Sequence, residues 1–373
     1  MRIAMVVGRS TGGIGLHAVD LAGHLRALGD DVVLVTDELT AQRFDQPGAL
    51  RWWPTRAGGL RGLVDGVRRL HRLARSSDVV HAHGHQAGLL AVVAATGTST
   101  PVVVSQHNAV LRGAGPRAMV SRLASWVVQT AVARRAALVT GASSDLVDVA
   151  RSHGARTARL AAVPSPRVPE LVAAPLVDVR ERRTGAEALL AARGIPASGA
   201  LVLTISRIAP QKNLDVLVDA AAGLRVRTQW VVVGDGDTTL LAELRQRAAR
   251  VDAPVHFVGA VGDPTAWLRA AEVFVLPSRW EARALVVQEA MAAGVPVVAS
   301  DTGGLHDLVD GAGVLVPVGD APGFAAAVDA VLADDERRGQ LSQQGRERAT
   351  SWDDGAATAR QWREWYSALP GMT

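Results

Sequence analysis

A single lysine, Lys212, stands among 40 basic side chains, so 40 − 1 = 39 of them are arginines. Where a chain so biased towards arginine keeps one lysine, a compact ammonium on a flexible stem can serve where a planar fork would not. Lys212 lies in Ser206-Arg207-Ile208-Ala209-Pro210-Gln211-Lys212-Asn213, directly after the apolar run Leu201-Val202-Leu203-Thr204-Ile205. Asn213 is one of two asparagines, the other being Asn108. A strand that delivers Arg207 and then the only lysine suggests a clamp for a diphosphate. Taken alone, the same lysine also reads as an ordinary surface residue.

The second chemical segment is Pro277-Ser278-Arg279-Trp280-Glu281-Ala282-Arg283-Ala284-Leu285-Val286-Val287-Gln288-Glu289. It continues through Ala290-Met291-Ala292-Ala293-Gly294 into the apolar run Val295–Ala299. The pattern predicts a strand, a loop, a helix from about Ala284 and a left-handed cap at Gly294. Glu281 then sits at the mouth of the loop and Glu289 on the helix. Carboxylates accept hydrogen bonds from hydroxyls strongly, which suits a sugar and a ribose. The free amides at the helix start suit a phosphate. As a plain pair of helix glutamates, the two would simply be solvated.

Three further groups fall in the first half. Arg9-Ser10-Thr11-Gly12-Gly13-Ile14-Gly15 is a Gly-rich loop between a strand and a helix. Gly13-Ile14-Gly15-Leu16-His17-Ala18 also fits the dinucleotide fingerprint, with Asp37 as the ribose acid, but four residues separate Gly13 from the strand end at Gly8. Gln106-His107-Asn108 ends a strand and offers an imidazole. His81-Ala82-His83-Gly84-His85 would put three imidazoles on one strand face, as zinc or iron would need, yet no carboxylate follows at ligand spacing.

These groups must be positioned by elements that alternate strand and helix. Strands are expected at 3–7, 31–36, 79–83, 102–105 and 137–140, then at 201–205, 229–234, 255–258, 273–276, 297–299 and 314–316. The economical fold is α/β, with two doubly wound Rossmann-like domains facing a cleft. The expected boundaries are 1–165 for the first domain, 166–195 for a Pro-punctuated linker and 196–352 for the second domain. A helix over 353–373, with Trp352, Trp362 and Trp365 at hand, returns to the first domain.

Composition narrows the classes. Cys 0 removes disulfides, thiolate ligands and a cysteine nucleophile and suits a reducing, cytoplasmic setting. No apolar run reaches the roughly 18 residues of a membrane span. The sequence pI of 10.6 accompanies a net charge of only +4, because arginine holds its proton. With 4% aromatics, that argues against nucleic acid as a partner. The arginines Arg61, Arg68, Arg69, Arg72 and Arg75, and the Trp126-bearing helix, could touch an anionic bilayer or could be solvated faces.

Taken together, the chain resembles the retaining nucleotide-sugar glycosyltransferases of family 4, which have the GT-B architecture. The resemblance rests on Glu281-x7-Glu289, on Ser206, Arg207 and Lys212, and on Gly234-Asp235-Gly236 after a strand. Phe257-Val258-Gly259 and Asp301-Thr302-Gly303-Gly304 extend it over essentially the whole chain. It implies Arg207, Lys212, Glu281 and His107 as catalytic residues, with Arg207 and Lys212 on the donor diphosphate and His107 at the donor sugar. It assigns Glu289 to the ribose, the backbone at Leu285 and Val286 to phosphate, and Gly13, Gly15, Gly234, Gly236 and Gly259 to close backbone approach around the donor. No metal or other cofactor is expected, since the cationic groups would do a metal's work. The partners implied are a nucleotide sugar and a hydroxyl acceptor, in a glycoconjugate, a lipid-linked molecule or a small molecule. Domain closure would assemble the site.

Some residues depart from the family pattern. Ala282-Arg283-Ala284 replaces the usual small Gly-containing segment, Asp307 stands where Glu is usual, and Pro164-Ser165-Pro166 replaces Pro-Asn-Gly. With no carboxylate placed as nucleophile, same-face attack by the acceptor is the expected route. A nucleotide-sugar 2-epimerase and a catalytically silent binding module share the architecture. A glycoside hydrolase using Glu281 and Glu289 would leave Arg207 and Lys212 without a role.

Overall fold

The computed structural model describes residues 1–10, 12–54, 58–108 and 116–371. It divides into two compact units, Met1–Pro166 with Asp353–Thr373, and Arg167–Trp352. In the first, β1 (Arg2–Val7), β2 (Asp31–Thr36), β3 (Leu50–Arg51), β4 (Val79–His83), β5 (Val102–Gln106), β6 (Leu138–Gly141) and β7 (Ala158–Leu160) form one sheet. Its order is β3-β2-β1-β4-β5-β6-β7, all parallel. In the second, β8 (Ala200–Ile205), β9 (Thr228–Val233), β10 (Val255–Gly259), β11 (Val273–Leu276), β12 (Val297–Ser300) and β13 (Val314–Val316) run in the order β10-β9-β8-β11-β12-β13, again parallel. The expected α/β, Rossmann-like fold is therefore present twice.

Both sheets are covered on both faces, which is why their strands read as near-continuous apolar runs. Alternate residues of one strand supply two cores. Ala4 and Val6 join Val80, Ala82 and Val104 on one side, while Ile3, Met5 and Val7 join Val79 and Val103 on the other. Leu201 and Leu203 face Phe274 and Leu276, and Val202 faces Trp230 and Val275. In each sheet the chain reverses direction of travel between two central neighbours, β1 and β4, and β8 and β11. Ligands of such sheets bind at the carboxyl ends of that pair.

The helix Gly355–Ser367 belongs to the first unit, where Trp362 and Tyr366 are fully buried among β1 side chains. Trp352 does not accompany them, because it packs on the core of the second unit. Residues 166–195 are not a bare linker. They form helices Val168–Ala173 and Val179–Ala191 within the second unit. Arg182 anchors them: its guanidinium donates to the carbonyls of Leu268, Arg269 and Ala271 at 3.3, 3.2 and 2.9 Å, and to those of Ala293 and Gly294 at 3.0 Å each. These carbonyls close the helices Thr265–Ala270 and Leu285–Ala292, so one buried cation satisfies two helix ends. Among the described residues, no helix is long and apolar enough to cross a membrane.

Candidate active site

The loops leaving β8 and β11 are tied to each other at the switch point of the second sheet. The Arg279 amide donates to the Gln211 carbonyl at 2.8 Å, and the Gln211 side-chain amide donates to the Trp280 carbonyl at 2.7 Å. Arg279 Nε donates to Asn213 Oδ1 at 2.9 Å. Asn213 is left-handed, with φ 54°, between the short 3-10 turn Pro210–Lys212 and the helix from Leu214. Asparagine tolerates that conformation better than other non-glycine residues, and here it also holds Arg279. Lys212 Nζ reaches Glu281 Oε1 at 2.5 Å. Arg207, on the same loop, is exposed to solvent.

Glu289 lies on the helix Leu285–Ala292 and is 1% exposed. Its Oε1 accepts from Arg167 Nη1 at 3.3 Å. The N-cap, Ala284, supplies no side-chain cap, so nothing from it covers the amides of Leu285 and Val286. The Ala282-Arg283-Ala284 segment turns into the protein. Ala282 and Ala284 are buried, and the Arg283 guanidinium lies over the Trp352 ring, 5.4 Å from its centroid. Burial lowers the pKa of Arg283, with Asp307 opposing that effect. Asp307 therefore has a partner charge in this departure from the family pattern.

Gly234 and Gly236 act on the loop itself. A Cβ at Gly234 would stand 1.9 Å from the Ser206 carbonyl oxygen, and one at Gly236 would stand 2.3 Å from that of Ile208. The Ile208 amide donates to the Asp235 carbonyl at 2.8 Å, and the Asp237 amide donates to the Ile208 carbonyl at 2.9 Å. These glycines thus seat the Arg207 and Lys212 loop against the loop after β9. Gly259 differs, with open space around an added Cβ.

The first unit presents a different chemistry. Gly13 is exposed at the start of the helix Gly13–Ala27, whose N-cap Gly12 has no side-chain cap. The amide of Gly15 is already used, donating to Ser10 Oγ at 2.9 Å, and a Cβ there would meet Phe44 at 2.5 Å. Asp37 caps its own helix by accepting from the Thr40 amide at 2.9 Å, so the dinucleotide reading loses its ribose acid. Thr11 of the Gly-rich loop lies outside the described residues.

His107 is buried, with its Nε2 3.0 Å from His83 Nδ1, and the two rings stack. His17 meets both rings edge-on. His81 is saturated, with Nδ1 2.6 Å from the Tyr366 hydroxyl and Nε2 2.7 Å from Ser105 Oγ. His85 leaves the strand to begin a helix, so the expected one-face triad of His81, His83 and His85 does not form. Burial lowers the pKa of His17 to about 4 and, with the nearby His17 charge, that of His81 to about 3. It also pushes His83 and His107 well below the ordinary value, with neighbouring imidazoles adding to the shift.

Sequence reasoning passed over Arg167 and Arg279, the partners of Glu289 and Asn213. Their partners are 122 and 66 residues away, so no local spacing marks them.

Residues 12–166 match the family model for a glycosyl transferase 4-like domain, and residues 199–334 match that for glycosyl transferases group 1. The chain is 31% identical over 380 residues to a D-inositol 3-phosphate glycosyltransferase of Xylanimonas cellulosilytica, covering 93% of this chain and 90% of that one. It is 30% identical over 398 residues to an alpha-maltose-1-phosphate synthase of Mycolicibacterium smegmatis, covering 98% and 99%. Among solved structures, Anabaena HepE in complex with UDP aligns with a TM-score of 0.82 at 21% identity, over 99% of this chain and 100% of that one. Two Rossmann-like units of this order define the GT-B class of glycosyltransferases, enzymes that draw on a nucleotide-sugar donor. Within that class, the chain belongs to the family-4 type of glycosyltransferase.

Proposed function

We propose that the enzyme transfers a sugar from a nucleoside-diphosphate donor to a hydroxyl acceptor, with retention of anomeric configuration and without a metal. The observation that carries this reading is the cationic loop after β8, where Lys212 meets Glu281 at 2.5 Å beside the uncapped start of helix Leu285–Ala292. Lys212, Arg207 and the amides of Leu285 and Val286 stabilise the charge that builds on the leaving diphosphate. Glu281 accepts from sugar hydroxyls and Glu289 from the ribose, with Arg167 holding the Glu289 carboxylate in orientation. His107 is assigned to the donor sugar.

The acceptor hydroxyl attacks the anomeric carbon on the face from which the diphosphate departs. The C–O bond to the acceptor forms as the C–O bond to phosphate breaks, and a departing phosphate oxygen takes the hydroxyl proton. Both glutamates are ion-paired, which argues against their service as acid and nucleophile in hydrolysis. The names of the relatives make phosphorylated polyols and sugars the first acceptors to try. A peripheral contact with an anionic bilayer would use the arginines of helix Gly59–Arg75 and the exposed Leu123, Trp126 and Val127.

The test is product analysis with UDP-, GDP- and ADP-sugars in the presence of a strong chelator. A product linkage with the donor's anomeric configuration supports the reading. An inverted linkage, or turnover that vanishes with chelator and returns with a divalent cation, overturns it.

A further inference from the structure

We propose that His17, His83 and His107 form a binding site for a zinc-class divalent cation in the first unit. Each imidazole offers one nitrogen, and these nitrogens all lie within 4.8 Å of one another. Their positions come from the switch point of the sheet: His17 is on the helix after β1, His83 ends β4 and His107 follows β5. The 3.0 Å between His83 Nδ1 and His107 Nε2 is already the spacing of two nitrogens on one ion. Bonds of about 2.1 Å place such ligands about 3.0–3.4 Å apart.

A second observation points to a ligand. Among the described residues, His17 Nδ1 is a buried side-chain nitrogen with no hydrogen-bond partner. Buried polar atoms left so are costly unless something meets them. His81 and His85 are spoken for, by Tyr366 and Ser105 and by the Asn108 carbonyl respectively, which limits the set to three. Three neutral imidazoles with no carboxylate suit zinc, cobalt or nickel and not magnesium or calcium. On loading, the one proton shared by His83 and His107 moves to the far nitrogen of its ring, and no proton need leave. Because His107 is the imidazole assigned to the donor sugar, an ion there withdraws it from that contact. The metal site itself does not depend on that assignment.

Cobalt(II) titration of the chelator-stripped full chain tests the proposal, read by visible absorption. One equivalent should give the intense bands of a four- or five-coordinate nitrogen site, displaced by zinc. His17→Gln and His83→Gln should each weaken binding at least 10-fold, while His306→Gln, remote from the cluster in sequence and exposed, should not. Circular dichroism of the variants checks that they fold. Should His17→Gln unfold the chain, X-ray absorption at the zinc edge of the loaded wild type, which reads the number of imidazole scatterers around the ion, decides the same question. Absence of the bands, bands that survive in folded His17→Gln and His83→Gln, or fewer than three imidazole scatterers around the zinc would overturn the site.

Discussion

The ammonium of Lys212 stands 2.5 Å from Glu281 Oε1, and both side chains are largely shielded from solvent. The pair joins the loops that leave β8 and β11, neighbours at the switch point of their sheet. It therefore fixes two groups that a diphosphate and its sugar would need at once. Lys212→Arg keeps the charge but replaces a point ammonium with a broad fork. We expect kcat/KM to fall at least 10-fold while the melting temperature stays near that of the wild type. Steady-state kinetics alongside a thermal melt would check this.

Glycine at 236 is required by the backbone of Ile208, not by space for a ligand alone. Gly236 has φ 154° and an added Cβ would sit 2.3 Å from a carbonyl oxygen, whereas at Gly259 an added Cβ meets nothing within 4 Å. Gly236→Ala should thus displace the Lys212 loop, weakening donor binding at least 10-fold and costing more than the roughly 1 kcal/mol of an unfavourable φ alone. Gly259→Ala should show the backbone cost only. Calorimetric binding and denaturant unfolding of both variants would separate the two effects.

The buried histidines make the first unit sensitive to acid. Their folded pKa values are depressed, so the unfolded chain binds more protons once pH falls below about 6.5, and stability is lost from there downwards. His17, lowered to about 4, contributes roughly 2 kcal/mol of that loss by pH 5. His81, His83 and His107 act in the same direction. Unfolding free energy measured between pH 8 and pH 5 should drop, and His17→Gln should flatten the slope.

Arg182 holds five carbonyls and, at 5% exposure, has little water to replace them. Burial lowers its pKa to about 10, still high enough to keep the charge at neutral pH. Arg182→Leu should destabilise the chain by about 3 kcal/mol or more. Arg182→Lys should recover little, because three rotatable donors cannot span two helix ends. Urea unfolding of the two variants provides the comparison.

The alternating strands were legible because parallel strands covered on both faces are largely apolar along their whole length, as in Val273–Leu276. The edge strands β3 and β7, two and three residues long, are too short to show a period. The helix Val179–Ala191 reads as polar linker because its stabilising partners lie up to 112 residues away. Lys212 and Glu281 were visible as rare or paired charges on separate loops. Their contact was not, since it depends on which strands are neighbours. The histidine run misled for a related reason: Gly84, with φ 91°, turns the chain out of β4 before His85. Of the rings that meet His83, His81 shares its strand, His17 lies on the helix after β1 and His107 follows β5.

Binding of UDP, GDP and ADP to the wild type and to Lys212→Ala, followed by calorimetry under a chelator, isolates the part Lys212 plays in holding the donor diphosphate. One nucleoside diphosphate should bind the wild type, and the variant, still folded, should bind it at least 10-fold more weakly. Equal affinity for the two proteins, or no binding of any of the three to the wild type, would contradict the assignment of Lys212 to the donor diphosphate.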